Sequence, residues 1–146
     1  MNLRTLRRSE KGTALLETAL TLPLLLAVAV GIFEFGRAFQ TWQVLTNAVR
    51  EGARVAVLPD ASIDKTRARV SDYMQTGQLP NALTATVDVT AASVDLGAGA
   101  TAAGSKVTVN YPFQFITLQP VVQLLVKGST VGAPITMTAS AVMRNE

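Results

Sequence analysis

Between Thr13 and Phe33 the chain reads TALLETALTLPLLLAVAVGIF, twenty-one residues in which Glu17 is the single charge. At about 1.5 Å of rise per residue, a helix of that length covers about 31 Å, the hydrocarbon thickness of a bilayer. Arg4, Arg7, Arg8 and Lys11 precede the run, against Arg37 and Arg50 in the twenty residues after it. That bias predicts a single pass with the amino end in the cytoplasm and the rest outside. A secretory signal is the rival reading, with an A-x-A-like end at Ala27-Val28-Ala29. Glu17 inside the apolar core and the continuation through Val30, Ile32, Phe33 and Phe35 count against it.

Past the run the pattern turns amphipathic. Phe35, Phe39, Trp42, Leu45, Val49 and Ala53 recur three or four apart, with polar residues between them, and no breaker occurs before Pro59. One helix over 13–57, about 67 Å long, is expected, with Pro23 kinking or loosening it and Thr hydroxyls available to the freed carbonyl. Phe35, Phe39, Trp42, Leu45 and Val49 form its expected packing face, and Gly52 would admit another backbone closely. Ala19, Pro23, Ala27 and Gly31, each four apart, form a small-residue ridge of the kind that lets membrane helices approach.

After Pro59, Ile63, Arg67, Val70, Tyr73 and Met74 predict a second helix from Ser62 to Gln75, capped by Ser62 or Asp60 and stopped by Gly77. The period then changes to two. Val87, Val89 and Ala91 make one alternating run; Val107, Val109, Tyr111, Phe113 and Phe115 a second; Ile135, Met137, Ala139, Ala141 and Met143 a third. Three strands with one apolar face each form a half-buried antiparallel sheet, which the outer half of the long helix can cover. Thr117 to Val126 fits either a short helix with Pro120 in its first turn or another apolar strand. The expected fold is α+β, divided into a basic leader (1–12), a transmembrane plus amphipathic helix (13–57) and an extracytoplasmic α+β domain (58–146).

Composition removes most enzyme readings. The 146 residues include no Cys and no His, which excludes thiol nucleophiles, Ser-His-Asp triads, imidazole acid-base pairs and nearly every zinc or haem site. No catalytic residue, metal site or cofactor is expected, and an exported domain without cysteine rests on packing alone. Asp88 and Asp95 lack an identifiable nucleophile or acid-base partner. Asp60 to Asp64 has calcium-loop spacing, but Lys65 stands where the loop needs Gly and Ser71 where it needs Glu. Gly97 to Gly104 is low in complexity, lacks GxGxxG spacing and reads as a loop. Four of the 13 cations and one of the 10 carboxylates lie in the first twelve residues, so the remainder is formally neutral. No nucleic-acid footprint is left.

Gly12 stands at the border between basic leader and apolar run, and Glu17 follows it by five residues. A cut after Gly12 would give Thr13 a new ammonium one helical turn from Glu17. A carboxylate in lipid costs about 2 to 3 kcal/mol on insertion scales, and an ammonium on the same or a neighbouring chain would offset it.

Leader, Gly12, Glu17 and apolar helix together resemble the class III or type IV prepilin signal. Gly31-Ile32-Phe33-Glu34-Phe35-Gly36-Arg37 followed by Asn47-Ala48-Val49-Arg50-Glu51-Gly52-Ala53-Arg54 resembles, more narrowly, the TadE-like proteins, pseudopilins of the bacterial tight-adherence (Flp, type IVb) pilus machinery. Val109 to Phe113 and Met143 to Glu146 extend the likeness loosely. The resemblance implies cleavage between Gly12 and Thr13 by a membrane prepilin peptidase, with Glu17 as its recognition residue and a later assembly contact. Thr18 departs from the aromatic that many relatives carry after the Glu. Implied partners are membrane lipid, the peptidase, other pilins or pseudopilins and the Tad secretion machinery. The implied function is that of a non-enzymatic minor pseudopilin of the inner membrane, supporting assembly of a Tad/Flp-type pilus or related secretion filament. A single-pass anchored binding module unrelated to pili is the alternative.

Overall fold

The structure is a computed structural model that describes residues 3–97 and 99–145, and side chains from Gly12 onward. The leader cations Arg4, Arg7, Arg8 and Lys11, on which the expected orientation rests, therefore lie outside the described side chains, as do Ala98 and Glu146. The fold is α+β: a long apolar amino-terminal helix followed by shorter helices and a three-stranded antiparallel sheet. The elements are α1 (Leu3–Ala56), α2 (Ile63–Thr76), β1 (Thr86–Gly97), β2 (Ala100–Phe113), α3 (Leu118–Leu125) and β3 (Ile135–Arg144), with a 3-10 turn at Ala82–Thr84. Contacts group the chain into two units, 1–36 with 115–133 and 37–114 with 134–146.

In the first unit, α1 begins ten residues before the expected Thr13. Leu, Arg, Glu and Lys in the leader are good helix formers, and a lone Gly12 does not stop them. Helical structure also continues through Pro23. The neighbouring threonine hydroxyls donate to the Ala14 carbonyl (Thr18, 2.9 Å) and the Glu17 carbonyl (Thr21, 2.9 Å), not to the Ala19 carbonyl that Pro23 leaves. Leu15, Leu16, Leu20, Leu22, Leu24, Leu25, Leu26, Val28, Ile32 and Phe33 are exposed, and they occupy every side of the helix.

The other part of this unit contains α3, so helix rather than strand forms in the region the sequence left open. Thr117 precedes it, and the Val126 N–H closes it on the Val122 carbonyl at 2.8 Å. Gly128 and Gly132 adopt φ of 82° and 83°, which favour glycine. At Gly132 a Cβ would stand 2.7 Å from the Gln119 nitrogen, so the chain returns tightly against the first turn of α3.

In the second unit the sheet order is β1-β2-β3, all antiparallel. Val87 pairs with Val109 and Val89 with Val107; Val109 pairs with Ala139 and Phe113 with Ile135. Val107, Val109, Tyr111 and Phe113 are buried on one face of β2, with Ala139 on β3. Phe115, expected to extend β2, lies outside it. Pairing ends at Phe113–Ile135 because the next residue on β3 is Pro134, which has no N–H to donate. The run expected as a loop at Gly97 to Gly104 is a loop only at its start, since Ala100 to Gly104 pair with residues 92–97 of β1. Gly104 lets β2 fit between both neighbours: a Cβ there would be 2.5 Å from the Met143 carbonyl oxygen on β3 and 2.8 Å from Val94 Cγ2 on β1.

α2 starts where its cap predicts, with Ser62 Oγ accepting from Lys65 N at 3.2 Å. Its buried stripe is Thr66, Val70 and Met74, while Ile63 is exposed. Residues 41–53 of α1 present the complementary stripe: Thr41, Leu45, Ala48, Val49, Gly52 and Ala53 are all buried.

Candidate functional site

Gly12, Thr13 and Glu17 lie on one continuous helix and are all exposed. Among the described residues, nothing outside the helix's own backbone stands within 4 Å of the position a Cβ on Gly12 would take. From Gly12 onward the helix is apolar enough to cross a membrane, with a mean hydropathy of 2.1 over its most apolar stretch and none of that stretch buried. Water does not tolerate so much contiguous apolar surface, whereas lipid or the apolar faces of other helices would cover it. The small-residue ridge stays accessible: Ala19 is exposed, and Pro23, Ala27 and Gly31 are half-buried. A Cβ on Gly31 would likewise meet nothing within 4 Å.

The six residues expected on the packing face separate into two groups. Leu45, Val49 and Gly52 are buried in the second unit. At Gly52 a Cβ would overlap Val70 Cγ2 and stand 3.3 Å from Val107 Cγ1, so α1 approaches both α2 and β2 through this glycine. Phe35, Phe39 and Trp42 do not join that stripe and are 66%, 64% and 45% exposed. At about 100° per residue, Phe39 stands about 120° round the helix from Leu45, and the small Ala48 and Gly52 occupy the arc that meets the neighbouring elements. The stripe that covers the sheet is thus narrower than expected and poorer in aromatics.

Sequence reasoning gave no separate role to Glu34, the first charge after the apolar run. It is completely buried. One of its oxygens, Oε1, accepts from the Ile116 N–H at 2.8 Å, the Thr117 N–H at 2.6 Å and the Thr117 hydroxyl at 2.8 Å. These groups stand at the amino end of α3, where free N–H groups and the helix dipole favour an anion. Charge-assisted bonds of this kind are the strong ones. The signal in the sequence was a second carboxylate at the end of a run that otherwise carries only Glu17.

Some of the charged residues beyond Glu34 pair with each other, and others meet a ring or the backbone. The Arg37 guanidinium lies 5.3 Å from the Phe113 ring centre. Glu51 pairs with Arg54 at 3.6 Å and Arg69 at 3.5 Å. Asp60 is held below the usual carboxylate range by its hydrogen bond to Lys65, then by that ammonium's charge. Asp88 borders an open groove of about 430 Å³ with Arg67, whose Nε donates to the Val87 carbonyl at 3.0 Å. The Asp95 carboxylate accepts from the Gly97 N–H at 2.8 Å. Among the described residues no cluster of three or more acidic, His or Cys side chains can hold a metal ion.

Residues 12–54 match the family described as TadE-like protein. This segment is TadE-like. The matched stretch opens at Gly12, includes Glu17 and Glu34, and ends just past the buried stripe at Gly52 and Ala53. No curated protein matches the chain, and no solved structure does. The match links residues 12–54 to Tad pilus-related function, and the one helix among the described residues that is long and apolar enough to cross a membrane fits single-pass anchoring.

Proposed function

We propose that this chain is a non-enzymatic minor pseudopilin, inserted in the bacterial inner membrane, that supports assembly of a Tad/Flp-type pilus or related secretion filament. The observation that carries the reading is the exposed apolar surface of α1 between Leu15 and Phe33, interrupted only at the half-buried Pro23, Ala27, Val30 and Gly31, with Gly12 and Glu17 exposed at its start, inside a TadE-like segment. A helix that buried itself in its own chain would have no such surface left to offer lipid or other pilins. In this reading the amino end is cytoplasmic and the residues after the span are periplasmic or extracellular. A prepilin peptidase cuts between Gly12 and Thr13, and Glu17 then meets a Thr13 ammonium on a neighbouring pilin. Supporting this, Gly12 and Thr13 are exposed on the helix.

Mass spectrometry of protein extracted from native membranes, together with filament counts in a deletion strain, tests the proposal. The expected result is a mature chain beginning at Thr13 and loss of filaments restored by the intact gene. An uncleaved chain whose deletion leaves filaments unchanged would favour the anchored binding module instead, and a chain starting at Val30 the secretory signal.

A further inference from the structure

The segment 115–133 combines two properties that rarely occur together in a chain surrounded by water. Part of its backbone is hydrogen-bonded within the segment: the Val121 N–H bonds the Thr117 carbonyl, Ser129 N–H the Val126 carbonyl at 3.1 Å, and Ala133 N–H the Thr130 carbonyl at 3.0 Å. Five of its nine large apolar side chains nevertheless face outward, while Leu118 is buried and Phe115, Val121 and Val122 are half-buried. Leu124 is 85% exposed, and Ile116, Leu125, Val126 and Val131 are exposed as well. A short helix with internal hydrogen bonds and exposed apolar side chains suits the boundary between headgroups and acyl chains, where the remaining polar groups still meet water.

Its position relative to the apolar run identifies the occupant. Glu34 is the residue immediately after Phe33, where a run of about 31 Å leaves the hydrocarbon. The same Glu34 carboxylate holds Ile116 and Thr117, so α3 begins at the depth of the lipid headgroups. The segment's only charged residue is Lys127, which is exposed directly after Leu124, Leu125 and Val126. An ammonium beside an apolar patch suits anionic lipid phosphates, with the stem in the boundary and the charge among the headgroups.

We propose that residues 115–133 form a second membrane contact, an interfacial element that inserts Leu124, Leu125 and Val126 into the outer face of the bilayer while Glu34 holds it beside the span. The proposal rests on the reading that α1 crosses the membrane at 13–33. It gives the chain two attachments to one bilayer, one crossing and one lying on its surface, and so limits rotation of the span about its own axis.

The absence of native cysteine makes a clean test possible. Full-length protein carrying Leu124→Cys is labelled with an environment-sensitive fluorophore and reconstituted into phosphatidylcholine vesicles containing a minor share of phosphatidylglycerol. A parallel sample carries Leu24→Cys, in the middle of the span. The label at position 124 should shift to the blue and be quenched by spin labels near the headgroups, and only weakly by aqueous iodide. In the Leu124→Cys protein, adding Glu34→Ala should reverse that preference towards iodide. Strong iodide quenching at 124, with the label at 24 quenched by deep spin labels, overturns the interfacial element and leaves the span intact. Protection at 124 from both quenchers that grows with protein density overturns it in favour of contact with a second copy. Iodide quenching at both positions overturns the membrane reading itself.

Discussion

Residues 15–33 and 41–53 belong to the same helix and bury opposite things. In the first stretch, the leucines, Val28, Ile32 and Phe33 stand exposed. In the second, burial is confined to Thr41, Leu45, Ala48, Val49, Gly52 and Ala53, and the bulky Trp42 lies outside it. The first surface suits a fluid apolar solvent, which rewards area and places no demand on shape. The second meets fixed neighbours, Val70 and Val107, and therefore includes residues small enough to let backbones approach. Size and hydropathy alone do not separate these cases, because Leu and Ala serve in both.

The sharpest way to break this comparison is to truncate one leucine in each stretch. Leu45 is fully buried, and Leu45→Ala should cost about 2 to 5 kcal/mol in stability of the second unit. Leu24 is exposed, and Leu24→Ala should leave the melting of that unit in detergent unchanged. Equal losses from both would mean that the exposed stretch has a fixed partner within the chain. Trp42→Ala, which the sequence alone marks as damaging to the sheet domain, should lower the melting temperature less than Leu45→Ala.

The two carboxylates of the apolar region provide the next contrast. Glu34 is buried with three donors on one oxygen, while Glu17 is exposed. A hydrogen bond to a charged group contributes about 1.5 to 3 kcal/mol. Glu34→Ala should therefore accelerate hydrogen exchange at the Ile116 and Thr117 amides by about ten- to hundredfold. Glu17→Ala should leave those amides as they are. Unchanged exchange in the Glu34 variant would show that other contacts hold the start of α3.

Much of the fold was legible because it depends on period and punctuation. Strands at Val87, Val107 and Ile135 followed from alternation, and Ser62 marked the start of α2 by the bond its hydroxyl makes. The long helix was legible as a hydropathy run, although its first ten residues were not, since charge does not stop a helix. What stayed hidden depends on partners distant in sequence. The buried role of Glu34 needs the amides of residues 116 and 117, eighty-odd residues away. Ala100 to Gly104 resembles loop by composition and becomes strand by pairing with residues 92–97 of β1, and only at Gly104 do Met143 and Val94 leave no room for a Cβ. The exposure of Phe39 and Trp42 follows from which side of the helix meets α2, and helical spacing alone is indifferent to that side.

Glycines sharpen the comparison further. Gly31→Val adds a side chain into open space, while Gly52→Val drives one into Val70. Overpacking of this kind costs about 1 to 3 kcal/mol, so Gly52→Val should lower the melting temperature of the second unit and Gly31→Val should not. The paired variant Gly52→Ala with Val70→Ala removes the overlapping methyls and should recover part of the loss. Failure to recover would place the strain at Val107 instead.

The smallest effect has the opposite sign. A hydroxyl in either environment needs an acceptor, and the exposed stretch of α1 supplies its own: Thr18 and Thr21 donate to carbonyls one turn back. Thr66, on the stripe of α2 that packs beside Gly52, has a buried hydroxyl with no hydrogen-bond partner. Replacing it with Val keeps the branched shape and removes the polar atom. Burying an unsatisfied hydroxyl costs about 1 to 3 kcal/mol, and Val and Thr are about equal in helix propensity, so Thr66→Val should raise stability by about 1 kcal/mol. Thr18→Val and Thr21→Val lose satisfied bonds and should bring no gain. Calorimetry of the three variants in one detergent reads the sign directly. A loss at Thr66→Val would mean that its hydroxyl has an acceptor, such as a bound water, and that the packed side of the molecule is less dry than the stripe of Leu45, Val49 and Val70 implies.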